Sequence, residues 1–217
     1  MRSRALILAG SCLALTACGS LLESTLPVPQ AYILRLPAHT ASAPAATAAG
    51  SLLVQRPEAG PGLASEKIAL LRSGQRFDFY AASQWAAPAP DLVESVLVDR
   101  LRDTGMFSAV FDDSSPYAPA YNLRCGLRRF EADYTSGGKG TGGKAPTIHV
   151  ALDCTLGRHR DRALLASFTA EGSSPAAEDR LGAVIVGFEA ATSTALAEME
   201  RQIASALGAE RPAPGTP

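Results

Sequence analysis

The fold is decided by two long stretches in which apolar and polar residues alternate, YNLRCGLRRFEADY at residues 121–134 and PTIHVALDCTL at residues 146–156. Alternation with a period of two is typical of a β-strand that has one buried face. A third stretch of this kind, RALLASFTAE, occupies residues 162–171 after the charged turn 158–161. Because turns rather than helices separate the three stretches, we predict an antiparallel meander.

Shorter strands are predicted before the meander. They lie at residues 31–36, 52–55, 67–72, 75–81 and 107–111. Residues 73–74, Ser and Gly, turn the third of these into the fourth as a hairpin. Pro88 and Pro90 exclude regular structure from residue 83 up to the following helix.

Two helices are predicted. Asp91 is the expected N-cap of the first, Glu94 completes a capping box, and Gly105 supplies a left-handed C-terminal residue. The second covers about residues 176–207 and has one broad apolar face. Gly187 inside it weakens the helix by up to about 1 kcal/mol unless it permits close packing on the sheet. The sequence therefore predicts an α+β fold, a two-layer antiparallel or mixed β-sheet with two main helices packed on one face.

The N-terminus predicts where the protein resides. Arg2 and Arg4 precede an apolar run at residues 5–15, and the run leads into LTAC at residues 15–18, the pattern of a bacterial lipobox. We expect cleavage before Cys18 and lipidation of its thiol and new amino group, an anchor worth about 0.8 kcal/mol per buried methylene. Gly19 stands where a retained inner-membrane lipoprotein more often has Asp, so the resemblance to Gram-negative lipoproteins implies sorting to the outer membrane.

These features give a domain organisation. Residues 1–17 are the predicted signal peptide, 18–30 a lipidated tether, 31–208 a single α+β domain and 209–217 a disordered tail. Residues 37–50 inside the domain are almost all Ala, Thr, Ser and Pro, which predicts a loop or linker. No later segment has about 18 uninterrupted apolar residues, so the acyl chains are the only membrane attachment that the sequence predicts.

Composition argues against several function classes. Cleavage removes Arg2 and Arg4, which lowers 20 basic side chains to 18 against 21 acidic ones, so nucleic acid is not an expected partner. The tract GKGTGGK at residues 138–144 resembles a P-loop, but Ala145 and Pro146 replace the hydroxyl residue and the helix that would hold magnesium and phosphate. We interpret the tract as a hairpin loop whose lysines are available to headgroups or an acidic partner.

The same reasoning predicts neither a cofactor nor a metal site, and no enzyme. Catalytic motifs with a nucleophilic serine or a zinc-binding helix are absent from the sequence. His149 alternates with apolar neighbours, and His159 lies in the charged turn 158–161. Both are interpreted as plain surface residues.

Cys125 and Cys154 are the cysteines that remain besides the acylated one. Each alternates in phase with the apolar residues of its strand, and a hairpin centred near residue 140 places the two directly opposite each other, with Cα atoms about 4.5 to 5.5 Å apart. That separation permits a disulfide in an oxidising periplasm. Two buried thiols packed as small apolar side chains are the alternative, because a register slip by one residue would separate the sulfurs.

Trp85 and Tyr80 are candidates for either packing or partner docking. Trp85 is the only tryptophan and lies in a proline-rich segment, so it either packs over the sheet or contacts a partner. Packing is favoured because an indole is usually mostly buried.

The chain resembles a known family in several short stretches. They are AYIL at 31–34, LASEKI at 63–68, FYAASQWA at 79–86, LRDTG at 101–105, MFSAV at 106–110 and VGFEAA at 186–191. Their order and spacing after the lipobox are similar to the auxiliary lipoproteins of ABC-type lipid transporters, the group that includes the paraquat-inducible protein C lipoproteins.

This resemblance implies an outer-membrane lipoprotein that faces the periplasm and serves a transporter of phospholipid or other hydrophobic molecules. The expected partners are an MCE-type periplasmic protein and the ABC permease and ATPase complex. It implies no catalytic residues, and it leaves open whether copies assemble into a homo-oligomer. The alternative is an envelope-assembly or cell-wall lipoprotein that is unrelated to lipid transport.

Overall fold

The computed structural model describes residues 28–37, 48–135 and 145–210. Its elements are β1 Gln30–Tyr32, β2 Leu52–Val54, β3 Glu58–Ala59, β4 Lys67–Arg72, β5 Arg76–Trp85, α1 Ala89–Asp103, β6 Val110–Phe111, β7 Tyr121–Asp133, β8 Thr147–Arg158, β9 Leu164–Pro175 and α2 Leu181–Glu210. The predicted signal peptide, most of the tether and of the 37–50 loop, the glycine tract and residues 211–217 lie outside the described residues.

The long strand β7 is the axis of the sheet. On one side it pairs with β8, and β8 pairs with β9, both in antiparallel orientation. The register places Cys125 opposite Cys154, as the alternation and the hairpin centre predict. The predicted meander is therefore confirmed, although its third strand continues to Pro175 because Ser173 and Ser174 also pair with β8.

Three short strands run along the other side of β7, one after another and all parallel to it. Leu52 of β2 pairs with Tyr121, Glu58 of β3 with Gly126, and Ala69 of β4 with Glu131. β4 and β5 form the predicted hairpin, β1 adds to β5, and β6 adds to β2. The result is a mixed nine-stranded sheet with helices packed on it, which confirms the α+β class.

The bounds of several shorter strands also differ from the prediction. β6 begins at Val110 instead of residue 107, and β3 forms where no strand was predicted. β5 does not stop before the prolines but continues to Trp85, because β1 pairs with residues 83–85 and the Trp85 N–H donates to the Glu66 carbonyl at 2.6 Å. β1 ends at Tyr32 instead of residue 36, since the chain leaves the sheet so that Leu34 can reach the core, where it is 7% exposed.

The start of α1 also differs from the prediction. The helix begins at Ala89 with Pro88 as its N-cap, and it has no side-chain capping bond. Asp91 instead forms an ion pair with Arg56, and the Glu94 carboxylate accepts the Asp113 N–H at 2.9 Å. Prolines favour the first turn of a helix because their missing N–H has no partner there, which explains the earlier start. Gly105 adopts the predicted positive φ, 65°.

The second helix, α2, begins five residues later than predicted, because β9 uses the chain as far as Pro175 and the Ala176 N–H then donates to Pro146. The helix extends to Glu210, beyond the predicted start of the tail at residue 209. By length and composition it could cross a membrane, yet 44% of its most apolar window is buried in this fold. It lies close to the sheet, since a Cβ on Gly187 would be 2.5 Å from Ile148 Cδ1.

The core lies between the helices and one face of the sheet, the covered face. At its centre Trp85, Phe130 and Phe188 pack with ring centroids 4.8 to 5.5 Å apart. An ion pair between Arg100 of α1 and Glu200 of α2 joins the two helices. The opposite face, the open face, carries no helix among the described residues.

The sheet has two ends with different neighbours. The β4–β5 turn, the last residues of β7 and the first of β8 meet at one of them, the hairpin end. The β8–β9 turn lies at the other, the far end, where α2 also finishes, because Glu210 contacts Arg158 and Tyr121. Since β1 runs parallel to β5, the chain enters the sheet from the direction of the hairpin end.

Candidate docking surfaces

Three residues singled out from the sequence are structural in this fold. Trp85 has no exposed surface, so it packs in the core and presents nothing to a partner. Cys125 and Cys154 are joined by a disulfide on the covered face, with Cα atoms 4.1 Å apart, somewhat closer than the predicted 4.5 to 5.5 Å. Cys18 lies outside the described residues.

Tyr80 belongs to a hydrogen-bonded chain at the hairpin end. Its hydroxyl is 2.9 Å from that of Tyr134, and the Tyr134 hydroxyl donates to Asp179 at 2.6 Å. Burial raises the pKa of both phenols, and the Asp179 carboxylate raises that of Tyr134 further. These hydrogen bonds connect β5 and the end of β7 to the segment before α2, so Tyr80 is a half-buried structural residue.

The two described histidines take different positions. His149 lies on the open face with Nε2 3.9 Å from Asp133, and His159 Nδ1 is 3.3 Å from the Asn122 amide at the far end. His149 is thus beside a carboxylate instead of being a plain surface residue. Within the described residues, no group of three or more His, Cys, Asp or Glu side chains is arranged to hold a metal ion.

Near the hairpin end, the open face carries a charged cluster. Glu131 and Asp133 are 6% and 8% exposed, and both accept from Arg129. Burial alone would raise the pKa of Asp133, but hydrogen bonds from Thr135 and the charges of His149 and Arg129 lower it overall. The cluster satisfies its own charges and leaves little for a ligand.

A first candidate surface lies on the outside of the helix layer. After β1, residues 33–37 run over the helices, held by the buried Leu34 and by the Arg35 N–H, which donates to Glu189 at 3.3 Å. Between this segment and α2 is an open groove of about 880 Å³, the helix-layer groove. Its lining residues are mostly small or apolar and include Leu36, Pro37, Val186, Ala190, Thr194 and Ala197.

A second candidate surface, the basic hollow, lies at the far end. It has a volume of about 550 Å³ and is lined by Arg124, Arg158, His159, Arg160 and Arg162 together with Leu164 and polar neighbours. Some of this charge is used internally. Arg158 pairs with Asp161 and Glu210, which raises the pKa of Arg158, and Arg124 pairs with Glu58 at 2.9 Å.

Two arginines of the basic hollow remain available. The Arg160 side chain is 77% exposed. Its Nε is 3.9 Å from Asp161 Oδ2, a long distance for an ion pair. Arg162 has no carboxylate at ion-pair distance in the described part of the chain, and its φ of 58° holds the turn that presents it. Leu164, 66% exposed, adds an apolar side chain beside them.

Sequence reasoning missed both surfaces. Residues 33–36 were read as strand, so their packing over the helices was not foreseen. Val186 carried a usable signal, because it is a large apolar residue that lies off the predicted apolar face of α2 and is 62% exposed. For the basic hollow, the sequence RHRDR at residues 158–162 is the only local indication. Arg124 lies near these residues because β7 pairs with β8, which the local sequence does not show.

Comparison with known proteins assigns the family. The fold is that of a small α+β domain with open, charged surfaces. A family model described as the ABC-type transport auxiliary lipoprotein component matches residues 32–204, and the chain belongs to this family of membrane-anchored envelope lipoproteins. The match confirms the resemblance found in the short stretches of sequence.

Solved structures agree in fold. The Xanthomonas campestris protein XCC0632, of family DUF330, is 25% identical with a TM-score of 0.65, and the alignment covers 87% of this chain and 100% of that one. An uncharacterized protein is 14% identical with a TM-score of 0.61, covering 82% of this chain and 99% of the other. A search of curated proteins gave no match.

Proposed function

We propose that the mature chain is an outer-membrane lipoprotein that faces the periplasm and acts as the docking subunit of an MCE-type ABC lipid transporter. The observation that carries the proposal is the family match over residues 32–204, directly downstream of the lipobox that ends at Cys18. Gly19 supports the outer membrane over the inner one. The proposed role is binding and not catalysis, because the buried carboxylates of the open face, Glu131 and Asp133, are already paired with Arg129.

The basic hollow is the surface that suits a partner protein. Exposed charges raise association rates and select orientation, while an apolar side chain among them supplies contact area. Arg160, Arg162 and Leu164 provide this combination on one turn. The hollow lies at the far end, whereas the described chain enters the sheet from the direction of the hairpin end, so residues 28–37 leave the hollow open to a periplasmic subunit.

Co-purification from detergent extracts tests the docking role. The wild-type lipoprotein should capture an MCE protein and an ABC permease, and the double variant Arg160→Glu, Arg162→Glu should capture about tenfold less, because reversing two contact charges costs at least about 1.4 kcal/mol. Arg76→Glu, an exposed arginine at the hairpin end, is the matched control and should behave as wild type.

Photo-crosslinking from positions 162 and 164 in cells identifies the partner directly. Crosslinks to an MCE or permease subunit support the proposal. Crosslinks confined to secretion or cell-wall proteins would instead establish the envelope-assembly function, and equal capture by the double variant and wild type would remove the basic hollow from the docking site.

Anchoring is tested separately. A palmitate analogue should label the wild type and not Cys18→Ser, and the labelled protein should fractionate with the outer membrane. Equal labelling of both proteins, or recovery with the inner membrane, contradicts this part of the proposal.

A further inference from the structure

We propose that the helix-layer groove rests on the surface of the membrane that holds the acyl anchor, so that the domain lies with its helices against lipid and its open face toward the periplasm. This inference rests on the anchor at Cys18 proposed above. It concerns the outer side of the helix layer, which is not part of the docking surface proposed above.

The outer side of α2 has the composition of such a contact. Over residues 181–197, about 25 Å of helix, Glu189 is the only charged residue. Val186 is 62% exposed, and Ala190 and Thr194 are exposed on the same side. A solvent-facing helix side normally carries several charges, and the second half of α2 begins with two, Glu198 and Arg201.

The segment that crosses the helices enlarges this apolar area. Ile33 is 45% exposed, and Leu36 and Pro37 form one wall of the groove opposite Val186. Glu189, the single carboxylate, accepts the Arg35 N–H, so part of its hydrogen-bonding capacity is satisfied within the protein. The side chains of Arg35 and Arg201 lie at the rim, where long basic side chains can reach phosphate groups while apolar neighbours enter the interface.

The length of chain between anchor and domain selects lipid as the occupant. The ten residues from Cys18 to the first described residue, Val28, span at most roughly 35 Å when fully extended. Val28 is itself 89% exposed, and it leads through β1 directly into residues 33–37. The groove is therefore held within reach of the bilayer at high effective concentration, so a patch too weak to bind membranes alone is sufficient.

Spin labelling of the lipidated protein tests the orientation. Val186→Cys and Ser167→Cys, the latter on the exposed side of β9, carry a nitroxide in protein reconstituted into vesicles of phosphatidylethanolamine and phosphatidylglycerol. We expect the label at 186 to lose collisions with a water-soluble nickel complex and gain collisions with oxygen by severalfold, whereas the label at 167 is unchanged. Both substituted side chains are exposed, so the fold should tolerate the labels.

A charge introduced into the groove gives a second test. With the nitroxide at Ala190→Cys, Val186→Glu should return the label to water, and Ala204→Glu, an exposed position near the C-terminus of α2, should not. Equal water accessibility at positions 186 and 167 in protein that floats with the vesicles overturns the inference and leaves the anchor intact. Protection of position 186 only after transporter subunits are added overturns it in favour of a protein contact, and failure to float overturns the anchor itself.

Discussion

Alternating residues of β7 are buried on its two faces in different ways, apolar side chains on one and carboxylates on the other. Phe130 and Ala132 point into the covered face, where helices exclude water and apolar packing does the stabilising. Glu131 and Asp133, the residues between and after them, point to the open face, yet they are almost as deeply buried. Both carboxylates can be buried there because each accepts hydrogen bonds within the protein. Glu131 accepts from Arg129 and the Phe130 N–H, and Asp133 accepts from Arg129 and Thr135.

Because residues on both faces of β7 are buried, burial alone does not identify the apolar core of this fold. On the covered face, burial reflects apolar area removed from water, which stabilises in proportion to its extent. On the open face it reflects a polar network whose net contribution is small, because desolvation offsets most of the Coulomb gain. Substitutions on the two faces should therefore differ in size and in their dependence on pH.

The largest effect is expected at the centre of the covered face. Trp85→Ala removes an indole that contacts Phe130 and Phe188 and should lower the free energy of unfolding by about 3 to 5 kcal/mol. Chemical denaturation of the soluble domain measures it. Tyr117→Ala, at an aromatic residue that is 68% exposed, is the control and should cost under about 1 kcal/mol; a similar loss in both variants would contradict the assignment of the core.

The second effect concerns the disulfide of the covered face. Cys125→Ala with Cys154→Ala opens a link between residues 29 positions apart and should cost about 3 kcal/mol, although the reduced wild type would lose less if the thiols still pack well. Unreduced protein alkylated under denaturing conditions should gain no alkyl group on either cysteine. Modification of both would show that the bond is absent from the protein as isolated.

A third effect tests how closely α2 approaches the covered face. A Cβ on Gly172 would collide with the backbone of α2, at Ala191 O and 2.8 Å from Ala195 N, so Gly172→Ala should destabilise by roughly 2 kcal/mol. Gly182→Ala, with nothing near its Cβ, should be neutral or slightly stabilising. Thermal unfolding separates the two variants, and equal midpoints would mean that α2 lies farther from β9.

The smallest effect belongs to the open face and depends on pH. Asp133→Asn should cost about 1 kcal/mol at pH 7, a value kept low because the Arg129 partner is partly exposed. Because the pKa of Asp133 is lower in the folded state than its usual 3.8, its contribution is complete above that value and is lost as the pH falls through the folded pKa.

Urea titrations at pH 7 and at pH 3 and below measure this dependence. The difference between wild type and Asp133→Asn should shrink toward zero in acid. Asp78→Asn is the control, because the Arg72–Asp78 pair is about half exposed on both sides and should contribute little at any pH. A difference that persists unchanged in acid would mean that Asp133 acts through packing and not through its charge.

The elements that could be predicted from the sequence are those with a regular apolar pattern over many consecutive residues. β7, β8 and β9 could be predicted because apolar residues alternate over many positions, and the register that pairs Cys125 with Cys154 followed from that phase and the hairpin centre. The apolar periodicity of α1 and α2 was equally clear, although the position where each begins was not. The family was recognisable from short stretches in a fixed order, which the match over residues 32–204 bears out.

The pairing partners of the short strands, and the surfaces, depend on tertiary contacts that the sequence does not reveal. β2, β3 and β4 have too few residues to specify a partner, so their parallel pairing along β7 depends on the backbone groups that β7 leaves unpaired on that side. Residues 33–37 lie outside the sheet, and Leu34 is buried in the core, a long-range contact that the local pattern does not reveal. Arg124 and Arg162, or Leu36 and Val186, are far apart in sequence, and long-range packing alone makes them neighbours on a surface.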